Sequence, residues 1–357
     1  MKKIKDIARK AKFYLQAFKE LKLNPGACVK FARLHASKNI TVQEYYKYKS
    51  WLEDPVFKES FLSYKEAQAY WKILNPIKYA VIARDKYITH LVLERVNIPM
   101  PKLYAYYNCE AGISYEDVFE QLSKNHVKQC VIKPAADGAH GSGVFICKEI
   151  VYNESDCIIE KTNGETLSLK HLLDVNKCCP LLFEEKIDQT QQINSINSSS
   201  VNTVRFMTAL YPGKDVKVFA TFLKIGREGS DVDNAGGGGN IDCGINTDSG
   251  QCYNTMQFNS FNDITHVTRH PDTGTMIENI VMDNWSEVVK EVKGFQAKIP
   301  YLKTIGWDIA LTNNGPVVIE INNWWDTTGQ VFIGKGWRDE VRECYIAWRD
   351  YYQNKEK

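Results

Sequence analysis

The stretch Gly306-Trp307-Asp308-Ile309-Ala310-Leu311-Thr312-Asn313-Asn314-Gly315-Pro316-Val317-Val318-Ile319-Glu320-Ile321-Asn322 decides how this chain reads. Two apolar runs flank Asn313-Asn314-Gly315, the pattern of a β-hairpin. A three-residue connection ending in glycine is favoured, because glycine accepts the left-handed position. In that register Asp308 lies opposite Glu320. Strand side chains alternate faces, so Asn322 shares the face of Glu320. Two carboxylates and one amide oxygen then converge on a hairpin that is otherwise apolar. Burying such a set is costly unless a cation lies among the oxygens. Hard oxygen donors of this kind suit Mg²⁺, usually in company with substrate phosphates. The alternative is the polar, solvated face of a surface hairpin.

The chain has 357 residues, enough to bury a large core and to form two or three subdomains. Hydrophobic content of 44% and charged content of 25% are those of an ordinary globular protein. The net charge of +2 conceals an asymmetry. Residues 1–65 carry 15 Lys and Arg against 6 Asp and Glu, and the remainder carries 30 against 37. A basic amino-terminal region on a mildly acidic body suggests an anionic surface or partner, but the whole is not basic enough for nucleic acid. No apolar run approaches the roughly 20 residues that span a bilayer, and Met1-Lys2-Lys3-Ile4-Lys5-Asp6 is not followed by the apolar core of a signal peptide. The ten cysteines show no Cys-x-x-Cys pair and read as reduced thiols of a cytoplasmic protein.

Residues 1–22 place Ile4, Ile7, Ala8, Ala11, Leu15, Phe18 and Leu21 at helical spacing among lysines and arginines. This basic amphipathic helix either packs on the body or rests on an anionic membrane surface. Residues 40–75 read as helical with an interruption at Asp54-Pro55. From about residue 85 the pattern changes. A helix at 85–95 precedes strands at 103–107, 129–133, 143–148, 157–160 and 181–187, with helices at 115–124 and 166–174. Two strong strands follow, Thr203–Leu210 and Val216–Lys224. A glycine-rich loop is expected at 226–244, a helix at 283–299 and a final helix at 337–352.

Lys133 closes the apolar strand Gln129-Cys130-Val131-Ile132-Lys133 and precedes Asp137-Gly138-Ala139-His140-Gly141-Ser142-Gly143. A strand lysine supplies a fixed positive charge, and a glycine-rich turn lets backbone N–H groups approach phosphate oxygens. The lysine precedes the glycines, so this is not a Walker loop; an ordinary hairpin is the alternative. Arg205 sits inside the strand Val201–Met207, where a cation among apolar neighbours needs an anionic partner, either a ligand's phosphate or carboxylate or a structural salt bridge. Arg227 and Asn234 bracket a segment that runs on into the four glycines 236–239. Four consecutive glycines imply close backbone approach to a ligand, a mobile lid or a flexible linker.

The order is Lys86, then Lys133-Pro134 with its glycine-rich loop, then Glu184-Glu185-Lys186-Ile187. Arg205 follows, then Arg227 with Asn234, and finally Asp308 with Glu320-Ile321-Asn322. It resembles the ATP-grasp superfamily over roughly residues 85–335. Within it, Ser200-Val201-Asn202-Thr203-Val204-Arg205, Gly236–Gly239 and Gly306-Trp307-Asp308 look like the sugar-transfer-associated family, which includes proteins similar to a teichuronopeptide-synthesis component. The resemblance implies an α+β, ATP-grasp fold in which two α+β subdomains clasp ATP beside a helical amino-terminal region. The implied segments are 1–80, 81–190, 191–336 and 337–357. Lys86 and Lys133 would contact ATP phosphates, and Gly138, Gly141, Ser142 and Gly143 would fold over them. Glu185, Lys186 and Ile187 would read the adenine edge, and Asp188 would reach the ribose. Arg205, Arg227 and Asn234 would form the catalytic set, the two arginines holding the γ-phosphate or an acyl-phosphate. Asp308, Glu320 and Asn322 would bind two Mg²⁺ ions, Glu320 bridging them.

The implied activity is a ligase joining a carboxylate to an amine, on a surface-polysaccharide sugar or its precursor, in the cytoplasm, with residues 1–22 offering contact with the inner membrane surface. A kinase acting on a hydroxyl and a nucleotide-binding scaffold of a glycan-assembly complex are the competing implications.

Overall fold

The computed structural model describes residues 2–136, 143–234, 236, 238–260 and 263–355, with side chains from residue 11 onward. Gly138, Gly141 and Ser142 lie outside the described residues. The chain forms two compact units, one of residues 1–74 with 326–357 and one of residues 75–325.

The first unit opens with α1 (Lys2–Glu20), α2 (Pro25–Lys38), α3 (Val42–Tyr48), α4 (Pro55–Ser60) and α5 (Tyr64–Leu74). Local chemistry sets their starts. The Asn24 carboxamide accepts from Ala27 N–H with Pro25 at the first helical position, and Thr41 and Glu44 form a reciprocal capping box. Asp54-Pro55, expected to interrupt a helix, begins one: Asp54 accepts from the N–H groups of Val56 and Phe57, and Pro55 needs no donor there. Among the described side chains here, Ala17 and the expected Leu21 are buried, and Phe13 rather than Leu15 packs on the neighbouring helix. Phe13 lies 4.7 Å from His35 and 6.3 Å from Phe31, ring to ring. Leu15 stays 63% exposed.

The second unit opens with α6 (Val81–Arg84) and α7 (Lys86–Arg95) and contains two antiparallel sheets. The first sheet joins β1 (Leu103–Tyr107), β2 (Cys130–Pro134), β3 (Phe145–Tyr152), β4 (Cys157–Lys161), β5 (Thr166–Ser168) and β6 (Leu181–Glu184) in the order β1-β6-β2-β3-β4-β5. One face is covered by α8 (Tyr115–Lys124) and α9 (Leu169–Val175), which bury Val118, Leu122, Leu169 and Leu172 against Ile132, Ile159 and Phe183. The segment expected as one helix over 166–174 therefore begins as β5, and the strand expected over 181–187 ends at Glu184.

The second sheet joins β7 (Thr203–Leu210), β8 (Val216–Ile225), β9 (Asn240–Ile245), β10 (Cys252–Ser260), β11 (Asp263–His266), β12 (Thr304–Thr312) and β13 (Gly315–Asn322) in the order β11-β10-β9-β8-β7-β12-β13. The connection into β7 carries α10 (Gln191–Ile196), and α11 (Trp285–Lys298) packs Trp285, Val292 and Phe295 against Phe206, Trp307 and Ile309. The expected glycine-rich loop stops at β9. All six residues of β9 are buried, so it shows no polar–apolar alternation to mark it as a strand.

The hairpin of β12 and β13 differs instructively from expectation. Its loop is two residues long, because Thr312 pairs with Gly315, which has φ +105°. A bulge between Asp308 and Ile309 then restores the opposition of Asp308 and Glu320. Ile319 is the extra residue, so Val318 and Ile321 both enter the core while Ile319 and Glu320 both turn the other way.

The chain returns to the first unit with α12 (Gly329–Phe332) and α13 (Arg338–Lys355). Residues 1–74 of the segment read as 1–80 therefore share one unit with 337–357, and residues 75–80 belong to the other. Gln330 accepts from Leu62 N–H at 2.8 Å and from Trp337 N–H at 3.0 Å. Arg338 pairs with Glu66 at 3.1 Å. No helix of the described residues is long and apolar enough to cross a membrane.

Gly336 is the closest backbone approach in this unit: a Cβ there would lie 2.0 Å from the Ser60 carbonyl oxygen. Gly336→Ala should lower stability by about 2 kcal/mol or more. Gly294→Ala, on the open face of α11, should raise it by about 0.5–1 kcal/mol. Denaturant midpoints of the two variants should shift in opposite directions.

Candidate active site

Between the two sheets of the second unit lies a cavity of about 430 Å³, the size of a small-molecule site. Its ends differ in chemistry. Val131, Val144, Ile146, Ile187 and Ile319 line one part, crossed by the connector 185–189 that follows β6. Lys86, Lys133, Lys224, Asp233, Asp308 and Glu320 line the other. The bulge in β13 is what lets consecutive residues, Ile319 and Glu320, serve both parts.

The charged part is a buried ion network. Asp308 accepts from Arg205 Nε at 2.6 Å and Nη2 at 2.9 Å, a bidentate pair between directly opposed residues of β12 and β7. Lys224 Nζ, from β8, stands 3.1 Å from Asp308 and 3.7 Å from Asp233. Burial alone would raise the Asp308 carboxyl, but Arg205 and Lys224 outweigh it and hold it at about 2. Gly306 makes room for this pair, since a Cβ there would come within 3.3 Å of the Arg205 guanidinium. Asp233 accepts from the backbone and hydroxyl of Thr203, yet burial still raises its carboxyl.

Lys86 begins α7, where Asp85 caps the helix, and its ammonium lies 3.3 Å from Glu320. Lys133 is held by Glu184 at 2.6 Å, and Glu184 also meets His90 Nε2 at 2.7 Å. Lys133 and Glu184 line the cavity, so this buried trio fixes one lysine in its wall.

Asp308, Glu320 and Asn322 come together as the sequence implies, with Asn322 Nδ2 3.5 Å from Asp308 Oδ2. Among the described residues no group of three or more His, Cys, Asp or Glu forms a metal site by itself. The available donors are hard oxygens ringed by Lys86, Arg205 and Lys224. They fit a Mg²⁺ ion that completes its coordination with phosphate oxygens and water, as that ion usually does.

Lys86, Lys133, Glu185, Lys186, Ile187, Asp188 and Asn234 all line the same cavity. Gly143 flanks it at φ +77°, with Pro134 3.0 Å from where its Cβ would be. Arg227 is a correction. It does not line the cavity but forms a bidentate pair with Asp272, at 2.7 and 2.6 Å, and donates to the Gly239 carbonyl at 3.2 Å. That pair holds Asp272 at about 2. The cation that accompanies Arg205 is instead Lys224.

Sequence reasoning also passed over Glu184, His90, Asp233 and Asp242. Lys224 and Asp242 carried the signal that exposed Arg205: a lone charge inside an apolar strand. Asn202, buried at the start of β7, accepts from Gly226 N–H at 3.1 Å and donates to the Asn197 carbonyl at 2.7 Å. It fixes the strand that presents Arg205.

Residues 65–344 match the family described as sugar-transfer associated ATP-grasp. The chain belongs to that family. Solved structures similar to this ATP-grasp protein include the D-alanine–D-alanine ligase of Bacillus anthracis, at 14% identity and TM-score 0.38, over 77% of this chain and 70% of that one. The phosphoribosylamine–glycine ligase of Thermotoga maritima follows at 12% identity and TM-score 0.45, over 75% and 56%. An N5-carboxyaminoimidazole ribonucleotide synthetase in its ADP complex matches at 10% identity and TM-score 0.40, over 73% of this chain and 51%, about half, of its own length. No curated protein matches this chain.

Asp242 on β9 is fully buried; one carboxyl oxygen accepts from Gly236 N–H at 2.8 Å and the other has no partner among the described residues. Burial pushes its carboxyl up to about 8 from 3.8. The folded chain then keeps a proton that the unfolded chain has released, so stability falls as pH rises between those values. Asp242→Asn removes the titration. Its stability relative to the parent should improve by about 1 kcal/mol per pH unit from about pH 5 to about pH 7, measured by denaturation at several pH values.

Proposed function

We propose that this protein is an ATP- and Mg²⁺-dependent carboxylate–amine ligase that acts through an acyl-phosphate on a surface-polysaccharide sugar or its precursor. One observation carries the reading: a single cavity joins an apolar slot, crossed by the connector 185–189, to a wall bearing Lys86, Lys133 and Lys224 beside the Asp308–Glu320 pair. A nucleobase with its polyphosphate has that division of chemistry.

In this reading Ile319 faces Val131 and Ile146 across the base, and the backbone of Glu185–Ile187 meets its polar edge. The three lysines hold the phosphates, and Asp308, Glu320 and Asn322 hold the metal. Bound Mg²⁺ offsets the charge of the transferring phosphoryl group. Arg205 fixes Asp308 in one orientation. A substrate carboxylate oxygen attacks the γ-phosphorus; the bond to the β,γ-bridging oxygen breaks and ADP leaves. The amine nitrogen then attacks the acyl carbon, phosphate departs, and the nitrogen loses a proton to solvent or to that phosphate. No protein nucleophile is required.

Calorimetry with Mg²⁺ should show ATP binding, and ADP release should require both a carboxylate and an amine. Dependence on a hydroxyl partner alone would make the protein a kinase instead, and nucleotide binding without turnover a scaffold. Glu320→Gln should cut turnover by about 100-fold or more, since it removes a metal ligand charge; unchanged turnover would remove the metal assignment.

The basic helix α1, with Leu15 exposed, suits attachment at an anionic membrane surface where a lipid-linked glycan would be met. Deleting residues 1–22 should then abolish co-sedimentation with anionic vesicles, and unchanged partitioning would refute the contact.

A further inference from the structure

Arg84 is the last residue of α6, a short helix that packs against β13. Its guanidinium lies over the indole of Trp324, 5.3 Å from the ring. Two residues after Arg84 and four before Trp324, the Lys86 ammonium reaches Glu320 at 3.3 Å. Trp324 follows Asn322 by two residues, roughly 6–7 Å of extended chain. The stacked pair therefore stands immediately beside the carboxylate and amide oxygens of the hairpin, but it is not part of the nucleotide cavity's wall.

Arg84 is exposed, and among the described residues its guanidinium has no hydrogen-bond or ion-pair partner. Arg205 and Arg227 are different, because each is locked by a bidentate carboxylate. Stacking on an aromatic face fixes the plane of a guanidinium without using its donors, which all lie in that plane. A flexible arginine is thereby pre-organised, and less entropy is lost when it meets a ligand. The feature is a cation held over an aromatic face with an unused donor fork, next to the place where a phosphoryl group would be handed on.

We infer that Arg84, backed by Trp324, binds an oxyanion group — carboxylate or phosphate — on the second substrate and so sets which molecule receives the activated phosphoryl group. This rests on the nucleotide reading above. The fork donates to two oxygens of one group, and the exposed side of the pair leaves space for the body of a larger molecule. Arg84 is a binding residue in this scheme and takes no part in bond making.

The test measures MgATP binding by calorimetry and ADP release at saturating ATP. The proteins are the full-length chain, Arg84→Ala, Arg84→Lys and Trp324→Leu. The probes are glucuronate, L-glutamate and glucose 1-phosphate, each supplied with glycine, which provides a free carboxylate and amine, and read against glycine alone. At least one probe should stimulate ADP release by the parent chain. Arg84→Ala should raise that probe's half-saturating concentration by about tenfold or more, the value of a charge-assisted bidentate contact. Arg84→Lys should recover part of the loss, Trp324→Leu should fall between, and the ATP dissociation constant should stay within about twofold throughout. Stimulation by glucuronate or glutamate identifies a carboxylate, and stimulation by glucose 1-phosphate alone identifies a phosphate. Arg84→Ala with the parent's half-saturation overturns the inference, as does failure of all three probes on a chain that binds ATP. A parent chain that binds no ATP overturns the nucleotide reading and this inference with it, and the calorimetry separates the two cases.

Discussion

The second unit is organised around the bidentate pair of Arg205 and Asp308, with Lys224 as its third member. Three charged groups on three adjacent strands occupy the face turned from α11, where water is excluded. Ion pairs of this kind are weak contributors to net stability, because the cost of desolvation offsets most of the attraction. Their effect is positional. Asp308 has one low-energy orientation, set by two cations, and any misregister of β12 against β7 would leave a buried charge unpaired. The pair therefore fixes the central strands of the sheet and the charge of the cavity wall together.

The bulge in the hairpin performs the complementary task. A regular strand would send Ile319 and Glu320 to opposite faces, one into the core and one into the cavity. The extra residue turns both toward the cavity while Val318 and Ile321 remain packed in the core. An apolar side chain and a carboxylate are thus adjacent in the chain and adjacent in the site. On the facing sheet, Glu184 does for Lys133 what Asp308 does for Arg205: a buried carboxylate holds a cation at the cavity's edge, with His90 as a second partner.

The sequence made some of this legible for definite reasons. Asp308, Glu320 and Asn322 stood out because they interrupt strongly apolar strands, and the opposition of Asp308 and Glu320 survived a mistaken loop length, since the shorter turn and the bulge cancel. Lys86, Lys133 and residues 185–188, which the resemblance assigned to the nucleotide, all line one cavity. Arg227 lies elsewhere because Asp272, 45 residues further along the chain, holds it in a bidentate pair that no local pattern shows. Lys224 and Asp242 were missed although each is a lone charge in a buried strand. For β9 the strand itself went unseen, because burial on both faces erases the alternation that marks a strand. The union of residues 1–74 with 326–357 was equally hidden, since contacts such as Gln330 with Leu62 leave no trace in local pattern.

The sequence by itself determined the hairpin, its facing oxygen-bearing side chains, the strand-borne cations and the family, because alternation and burial constrain residue type over short distances. Tertiary structure decided which cation meets which carboxylate, where Ile319 faces, and that Arg84 lies on Trp324 beside Glu320. Those outcomes depend on pairing between segments distant in the chain, where many partners are chemically acceptable and only packing selects one.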